Sequence, residues 1–339
     1  MSNTEADNLG RGLDVGTMNI VCAHRTGPNK VETSRVRDAF LDLSPDAKKM
    51  LKLSGVNFID HGEEGIIVVG DKAMEMANVF GREARRPLSQ GLISAGEIDA
   101  LEILGAMIKN LLGEPKAPGE YCYFSVPAAP VDDPSRDVVY HQGVFDRIVT
   151  ECGFEAVAGN EAMAIVYAET AAEGFSGLGI SFGSGMCNLA LSISGMEGFS
   201  FSVARGGDWI DAGAAKAVGA TQSRICSVKE KGIDLINPKS REEEALALYY
   251  KSLINYCLDH TARQFSMIRD RFSLPGPIPI VVSGGTSLAG NFLEFFMQTF
   301  EKKRKKFPFE VSEIRQASDP LNAVARGLLI QAIQEHDDE

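Results

Sequence analysis

The chain has 339 residues, 44% of them apolar and 24% charged, which is the composition of a soluble globular protein long enough for two domains of ordinary size. Its net charge of −12 argues against nucleic acid as a main partner, because phosphate backbones are bound through a basic excess. No apolar run approaches the ~20 residues of a membrane span, and residues 1–8 (MSNTEADN) lack the basic start and apolar middle of a secretory signal, so a cytoplasmic location without direct membrane insertion is expected. Cys22, Cys122, Cys152, Cys187, Cys226 and Cys257 are widely spread with no Cys-x-x-Cys pair, and read as small hydrophobes rather than disulfide or zinc partners.

The first informative stretch is Leu13-Asp14-Val15-Gly16-Thr17-Met18-Asn19, a strand running into a tight turn before Ile20-Val21-Cys22-Ala23 resume a strand. Such a turn can aim backbone N–H groups at a phosphate, although an Asp-x-Gly-Thr turn alone also suits a plain hairpin. Residues 31–91 read as a small α+β insert, with an extended piece over 40–44, helical spacing over 46–53, a strand over 65–70, and Asp71 capping a helix over 72–79. An amphipathic helix is predicted over 95–112, where Ile98, Leu101, Leu104, Ile108 and Leu111 recur at helical spacing and form a core face. Residues 121–127 read as a buried strand stopped by Pro127, 131–135 as an acidic loop, 136–152 as a helix, 154–159 as a strand, and Asn160 as the cap of a helix over 161–173. A loop at 174–177 separates the halves.

The second half opens with the same device. Residues 178–191 give a strand, the turn Gly183-Ser184-Gly185-Met186, and a returning strand, and two hairpins that each lead a half suggest an internal duplication with a cleft between them. A third turn follows the buried strand Ile278-Pro279-Ile280-Val281-Val282-Ser283, where Gly284-Gly285-Thr286-Ser287 precede a helix over 292–300. The basic run over 302–306 reads as a solvated helix end.

These motifs together resemble the actin-like ATPase superfamily, which includes actin, the MreB- and MamK-type bacterial actins, the large heat-shock chaperones and the sugar kinases. Residues 13–19 resemble the first phosphate loop, 181–188 the second, and 281–291 the adenosine loop; Asn160-Glu161-Ala162-Met163-Ala164 and the stretch 319–327 resemble the two hinge motifs, and Gly206-Gly207-Asp208 the start of the second outer subdomain. The resemblance implies an α/β fold of the two-lobed, actin-like (ribonuclease H-like) class, with duplicated sheet domains around a nucleotide cleft. Lobe I is then 9–172 plus 319–335, lobe II is 177–318 with an outer subdomain near 208–275, and 1–8 and 336–339 are flexible tails. The length, the insert and the stretch Arg86-Pro87-Leu88-Ser89-Gln90-Gly91-Leu92-Ile93 are most similar to the MreB and MamK kind.

What the resemblance implies for the chemistry is ATP or ADP with Mg²⁺. Asp14 is expected to organise the hydrated metal, with Ser181 standing where the family has an Asp and Met186 where it has a Thr. Phosphate and nucleoside contacts are expected from Gly16, Thr17, Met18, Asn19, Gly183, Ser184, Gly185, Met186, Gly207, Asp208, Gly284, Gly285, Thr286 and Ser287, and from the pair Lys229 and Glu230. The residue that positions water is reached by two counts along the chain, one ending near His141 and Gln142, the other near Asp133. Self-association into filaments with slow hydrolysis, served by unknown accessory proteins, is one expectation. A small-molecule kinase using Asp132 or Asp133 as base, or an ATP-binding regulator, is the other.

Overall fold

A computed structural model describes residues 9–27, 30–268 and 276–338. The chain starts with the antiparallel hairpin β1 (Arg11–Val15) and β2 (Asn19–Gly27), to which β3 (Lys30–Arg37) adds. The insert follows as β4 (Phe40–Leu43), α1 (Lys48–Leu53), β5 (Ile59–Asp60), β6 (Ile66–Val69) and α2 (Asp71–Phe80), a three-stranded sheet in the order β4-β6-β5. Its small core is Leu41, Leu43, Leu51, Ile66 and Val68. Asp71 begins the helix itself instead of preceding it. A two-stranded hairpin, β7 (Leu88–Ser89) and β8 (Leu92–Ile93), then leads out of the insert.

The helix predicted over 95–112 is broken. Residues 95–100 form 3₁₀ turns interrupted at Glu97, whose φ of −123° is not helical, and the α-helix proper is α3 (Leu101–Leu112). Next come β9 (Tyr121–Val126), α4 (Val138–Glu151), β10 (Glu155–Asn160) and α5 (Glu161–Glu169), the last capped by Asn160, whose Oδ1 accepts from the Ala162 and Met163 amides at 2.9 and 3.0 Å. Lobe II repeats the opening as β11 (Gly177–Phe182), β12 (Cys187–Ile193) and β13 (Met196–Val203), then α6 (Gly207–Val218), α7 (Gln222–Glu230) and α8 (Arg241–Ile268). It closes with β14 (Ile278–Ser283), α9 (Phe292–Glu301) and β15 (Val311–Gln316), and α10 (Ala323–Asp338) returns to lobe I.

The duplication is explicit in the sheets. One runs β10-β9-β1-β2-β3 and the other β15-β14-β11-β12-β13, each an antiparallel three-stranded meander with two parallel strands added beside its first strand. The parallel strands need crossovers, which puts helices on the sheets. Each lobe has its own core, with Leu13, Ile20, Phe124 and Phe145 in one and Ile180, Phe182, Phe201 and Tyr250 in the other.

Helices α5 and α10 lie against each other between the sheets, and glycines make the fit. A Cβ on Gly12 of β1 would sit 2.0 Å from Ala325 O of α10, one on Gly179 of β11 would sit 2.5 Å from Ala162 O of α5, and one on Gly327 of α10 would sit 1.8 Å from Ala164 O of α5. Both sheets therefore rest on this helix pair at their first strand. The residues from 336 to 338 belong to α10, where His336 Nε2 accepts from the Tyr121 amide at 3.1 Å, so the predicted C-terminal tail is helix over that span. The tail predicted at 1–8 lies outside the described residues.

Candidate functional site

Since β1 and β11 are equivalent strands, their residues correspond in pairs: Gly12 with Gly179 against α10 and α5, Asp14 with Ser181 at the strand end, and Gly16 with Gly183 in the turn. The two turns face each other across a cleft of about 510 Å³, lined by 14–19 from lobe I, 183–186 from lobe II, and 284–286, Leu288 and Ala289 from the third turn. Gly284 needs its positive φ of +89° and its bare Cα, because a Cβ there would fall 2.4 Å from Phe182 O. The sequence motifs thus meet in one place.

Three polar side chains set the chemistry of the floor. The Ser125 hydroxyl donates to Asp14 Oδ1 at 3.0 Å while accepting from the Val15 amide at 2.8 Å. Glu161, the first residue of α5, accepts from Ser181 Oγ at 2.6 Å and from Asn188 Nδ2 at 2.8 Å. Burial, and after it the charge of Glu161, pushes the Asp14 carboxyl up to about 8, and burial raises Glu161 as well despite its two hydrogen bonds. Asp14 and Glu161 therefore share a floor, and among the described residues no Lys or Arg side chain forms an ion pair with either. A floor of carboxyl oxygens is a hard donor set of the kind that suits a divalent cation.

The lobes touch across the mouth. Thr17 Oγ1 accepts from the Gly91 amide at 3.0 Å, and Gly185 packs so closely that a Cβ would lie 2.2 Å from Gly91 N and 2.4 Å from Thr17 Oγ1. Met186, 3% exposed, covers Gly91. Arg86, from the segment before β7, pairs with Asp208 of α6 at 3.1 Å, and Asp208 also accepts from Ser184 Oγ at 2.9 Å. Arg37 of β3 pairs with Glu230 of α7 at 2.9 Å. The cleft is closed by these contacts.

Several expected site residues sit elsewhere. His141 is 1% exposed, packs edge-on against Phe145 and lies behind the β7–β8 hairpin, beside a separate cavity and not in the cleft. Gln142, on the same helix, is exposed, and Asp133 pairs with Arg136 at 2.9 Å. None of the three lines the cleft. Asp132 is engaged as well, accepting from the Ala204 amide at 2.8 Å and Tyr256 OH at 2.9 Å, so it ties the 127–132 segment to lobe II. Ser287 turns inward to donate to Gly284 O at 2.7 Å. Gly207 and Asp208 brace the second turn from behind instead of lining the cleft. Lys229 and Glu230 do line it, yet Lys229 is held by Asp211 at 2.7 Å and Glu230 by Arg37.

Glu161 is the residue that sequence reasoning placed only in a hinge motif. The signal was its position directly after a helix cap: a residue starting a helix at the end of β10 is delivered to the same edge as the ends of β1 and β11.

Residues 9–332 match the volactin family. The chain belongs to that family. No curated protein sequence matches this volactin-family chain. Among solved structures, a MamK double helical filament is similar over 96% of this chain and 98% of that one, with a TM-score of 0.71 and 16% identity. MreB5 of Spiroplasma citri bound to AMPPNP is similar over 97% and 98%, with a TM-score of 0.66 and 17% identity. The ethanolamine utilization protein EutJ from Carboxydothermus hydrogenoformans is similar over 95% and 89%, with a TM-score of 0.53 and 16% identity. The volactin-family chain thus has the two-lobed actin-like fold, and among its described residues no helix is long and apolar enough to cross a membrane.

Proposed function

We propose that this volactin-family protein binds ATP or ADP with Mg²⁺ in the interlobe cleft, hydrolyses ATP slowly, and self-associates into filaments. The observation that carries the reading is the convergence of three glycine turns on a floor formed by Asp14 and Glu161. Backbone amides of 17–19 and 184–185 would hold phosphate oxygens, with the Gly16 and Gly183 amides spent on closing the turns at Asn19 O and Met186 O, because glycine lets the chain approach an anion closely. Asp14 and the surrounding floor would hold Mg²⁺, which when bound neutralises phosphate charge. Glu161, fixed by Ser181 and Asn188, is the group that would orient the attacking water and take its proton. The proposal transfers the water-positioning role from His141, Gln142 and Asp133 to Glu161.

Structures of similar fold support the nucleotide and filament parts, being described as bound to AMPPNP or ADP and as a double helical filament. A cytoplasmic location and accessory partners belong to the same reading. The kinase alternative is the weaker reading, since neither Asp132 nor Asp133, its candidate bases, lines the cleft, whereas Glu161 does. The test is pelleting with and without ATP–Mg²⁺, followed by negative-stain microscopy and phosphate release. Nucleotide-dependent filaments are expected, and the absence of both a thermal shift and pelleting at millimolar ATP would sink the reading.

A further inference from the structure

Asp38 is a buried carboxylate that the cleft chemistry does not use. It follows β3, its backbone N–H donates to Met18 O at 3.0 Å, its side chain is 0% exposed, and neither carboxylate oxygen has a hydrogen-bond partner among the described residues. A buried charge left unpaired is costly. The Arg86 segment runs beside this stretch, Phe40 and Arg85 exchanging both backbone hydrogen bonds at 3.0 and 2.9 Å, and while burial pushes the Asp38 pKa up to about 8, the charge acting against that shift is the Arg86 guanidinium. Arg86, however, spends both of its terminal nitrogens on Asp208 of the other lobe, at 3.3 and 3.1 Å.

We propose that Arg86 is shared between two carboxylates, pairing with Asp208 while the cleft is closed and with Asp38 when it opens, and so acts as a latch and positioning residue for the second glycine turn. The turn is included because Asp208 also accepts from Ser184 Oγ at 2.9 Å: with Arg86 in place Asp208 is held from both lobes, and without it from lobe II alone. Opening does not leave the guanidinium without a partner, since Asp38 waits in lobe I. Closing withdraws the cation from Asp38, whose carboxyl then takes a proton from solvent. The closed form is therefore favoured below about pH 8 and weakened above it. The other group favouring ionised Asp38 is the Leu88 amide, which faces it from outside hydrogen-bond geometry, while the neighbouring Arg37 guanidinium faces Glu230 and Asp71. Only the functional consequence of the latch rests on the nucleotide reading.

Small-angle scattering of the full chain without nucleotide reports lobe opening, and stopped-flow release of a fluorescent N-methylanthraniloyl-ATP with Mg²⁺ reports the cleft. Asp38→Asn, which removes the open-state partner, is expected to give a more compact particle whose size no longer grows between pH 7 and 9, and release slowed by about threefold or more. Arg86→Gln and Asp208→Asn are expected to expand the particle and speed release, and Asp38→Asn added to Arg86→Gln should change nothing further. The latch is overturned if Asp38→Asn keeps the parent's size and pH response, or if its effect persists with Arg86 removed. A parent that binds no nucleotide overturns the ATP reading, while the scattering still decides the latch.

Discussion

Ser181 donates to Glu161 Oε1 at 2.6 Å, so the hydroxyl occupying a strand-end position equivalent to Asp14 holds the hinge carboxylate in the cleft. The side chain is 2% exposed and committed to that bond. Its contribution is then to aim Glu161, with Asn188 holding the second oxygen and accepting from the Ala128 amide at 3.2 Å through its own Oδ1. Glu161→Gln is expected to slow phosphate release by about a hundredfold while leaving the ATP–Mg²⁺ thermal shift in place, since general-base removal typically costs that much. Ser181→Ala should fall between the parent and Glu161→Gln. Parent-like phosphate release from Glu161→Gln would remove it from the chemistry.

Asp14 is held by Ser125 and repelled by Glu161, an arrangement that a cation would relieve. Asp14→Asn is expected to abolish the Mg²⁺ dependence of nucleotide stabilisation while retaining a smaller, metal-independent shift from contacts to the turns and the nucleoside. Melting temperature against Mg²⁺ concentration at fixed ATP reads this directly. Unchanged metal dependence in the variant would mean that Asp14 only braces the turn.

The sequence displayed the parts of the site that backbone makes and hid those that depend on which side chains meet. Gly16, Gly183 and Gly284 mark close approaches and strand-to-turn transitions, which local sequence announces. The duplicated sheets were visible because each hairpin carries the same alternation of glycine and apolar residues. Glu161 was not assigned a role, because its function follows from α5 lying between two sheets whose strands end beside it, a relation spread over more than a hundred residues of chain. His141 failed for the converse reason. Counting along the chain ended on α4, none of whose residues lines the cleft, and the 127–132 segment that leads toward it is drawn onto β13 through the Val131 amide to Ser202 O at 3.0 Å.

The hinge helices give a stability prediction with an internal control. Gly327→Ala would place a methyl 1.8 Å from Ala164 O, backbone that cannot yield without parting α5 from α10, so loss of the folded state or a cost of several kcal/mol is expected. Gly105→Ala in α3 and Gly143→Ala in α4 meet nothing within 4 Å and should each stabilise by about 0.5–1 kcal/mol, as alanine does in a helix interior. Urea melts of the three variants test the pair of claims. A Gly327→Ala protein as stable as the parent would show that the helix pair does not pack this tightly.

The last prediction concerns His141, whose place outside the cleft separates a folding role from a catalytic one. Both ring nitrogens are buried without a hydrogen-bond partner among the described residues, and burial pushes the imidazole down to about 4 from its ordinary 6.5. The unfolded chain therefore binds a proton at this residue between those values when the folded one does not, so stability is fully present above about pH 6.5 and declines as pH falls toward 4. The decline attributable to this residue is on the order of 3 kcal/mol at most, from 1.36 kcal/mol per pH unit. His141→Phe removes the titrating group while keeping an aromatic ring against Phe145. Its urea stability should fall less than the parent's between pH 6.5 and 4.5, and its phosphate release at neutral pH should equal the parent's. Equal pH slopes would show that the imidazole reaches water or a partner in solution, and a variant that folds and binds ATP but no longer hydrolyses it would return His141 to the catalytic machinery.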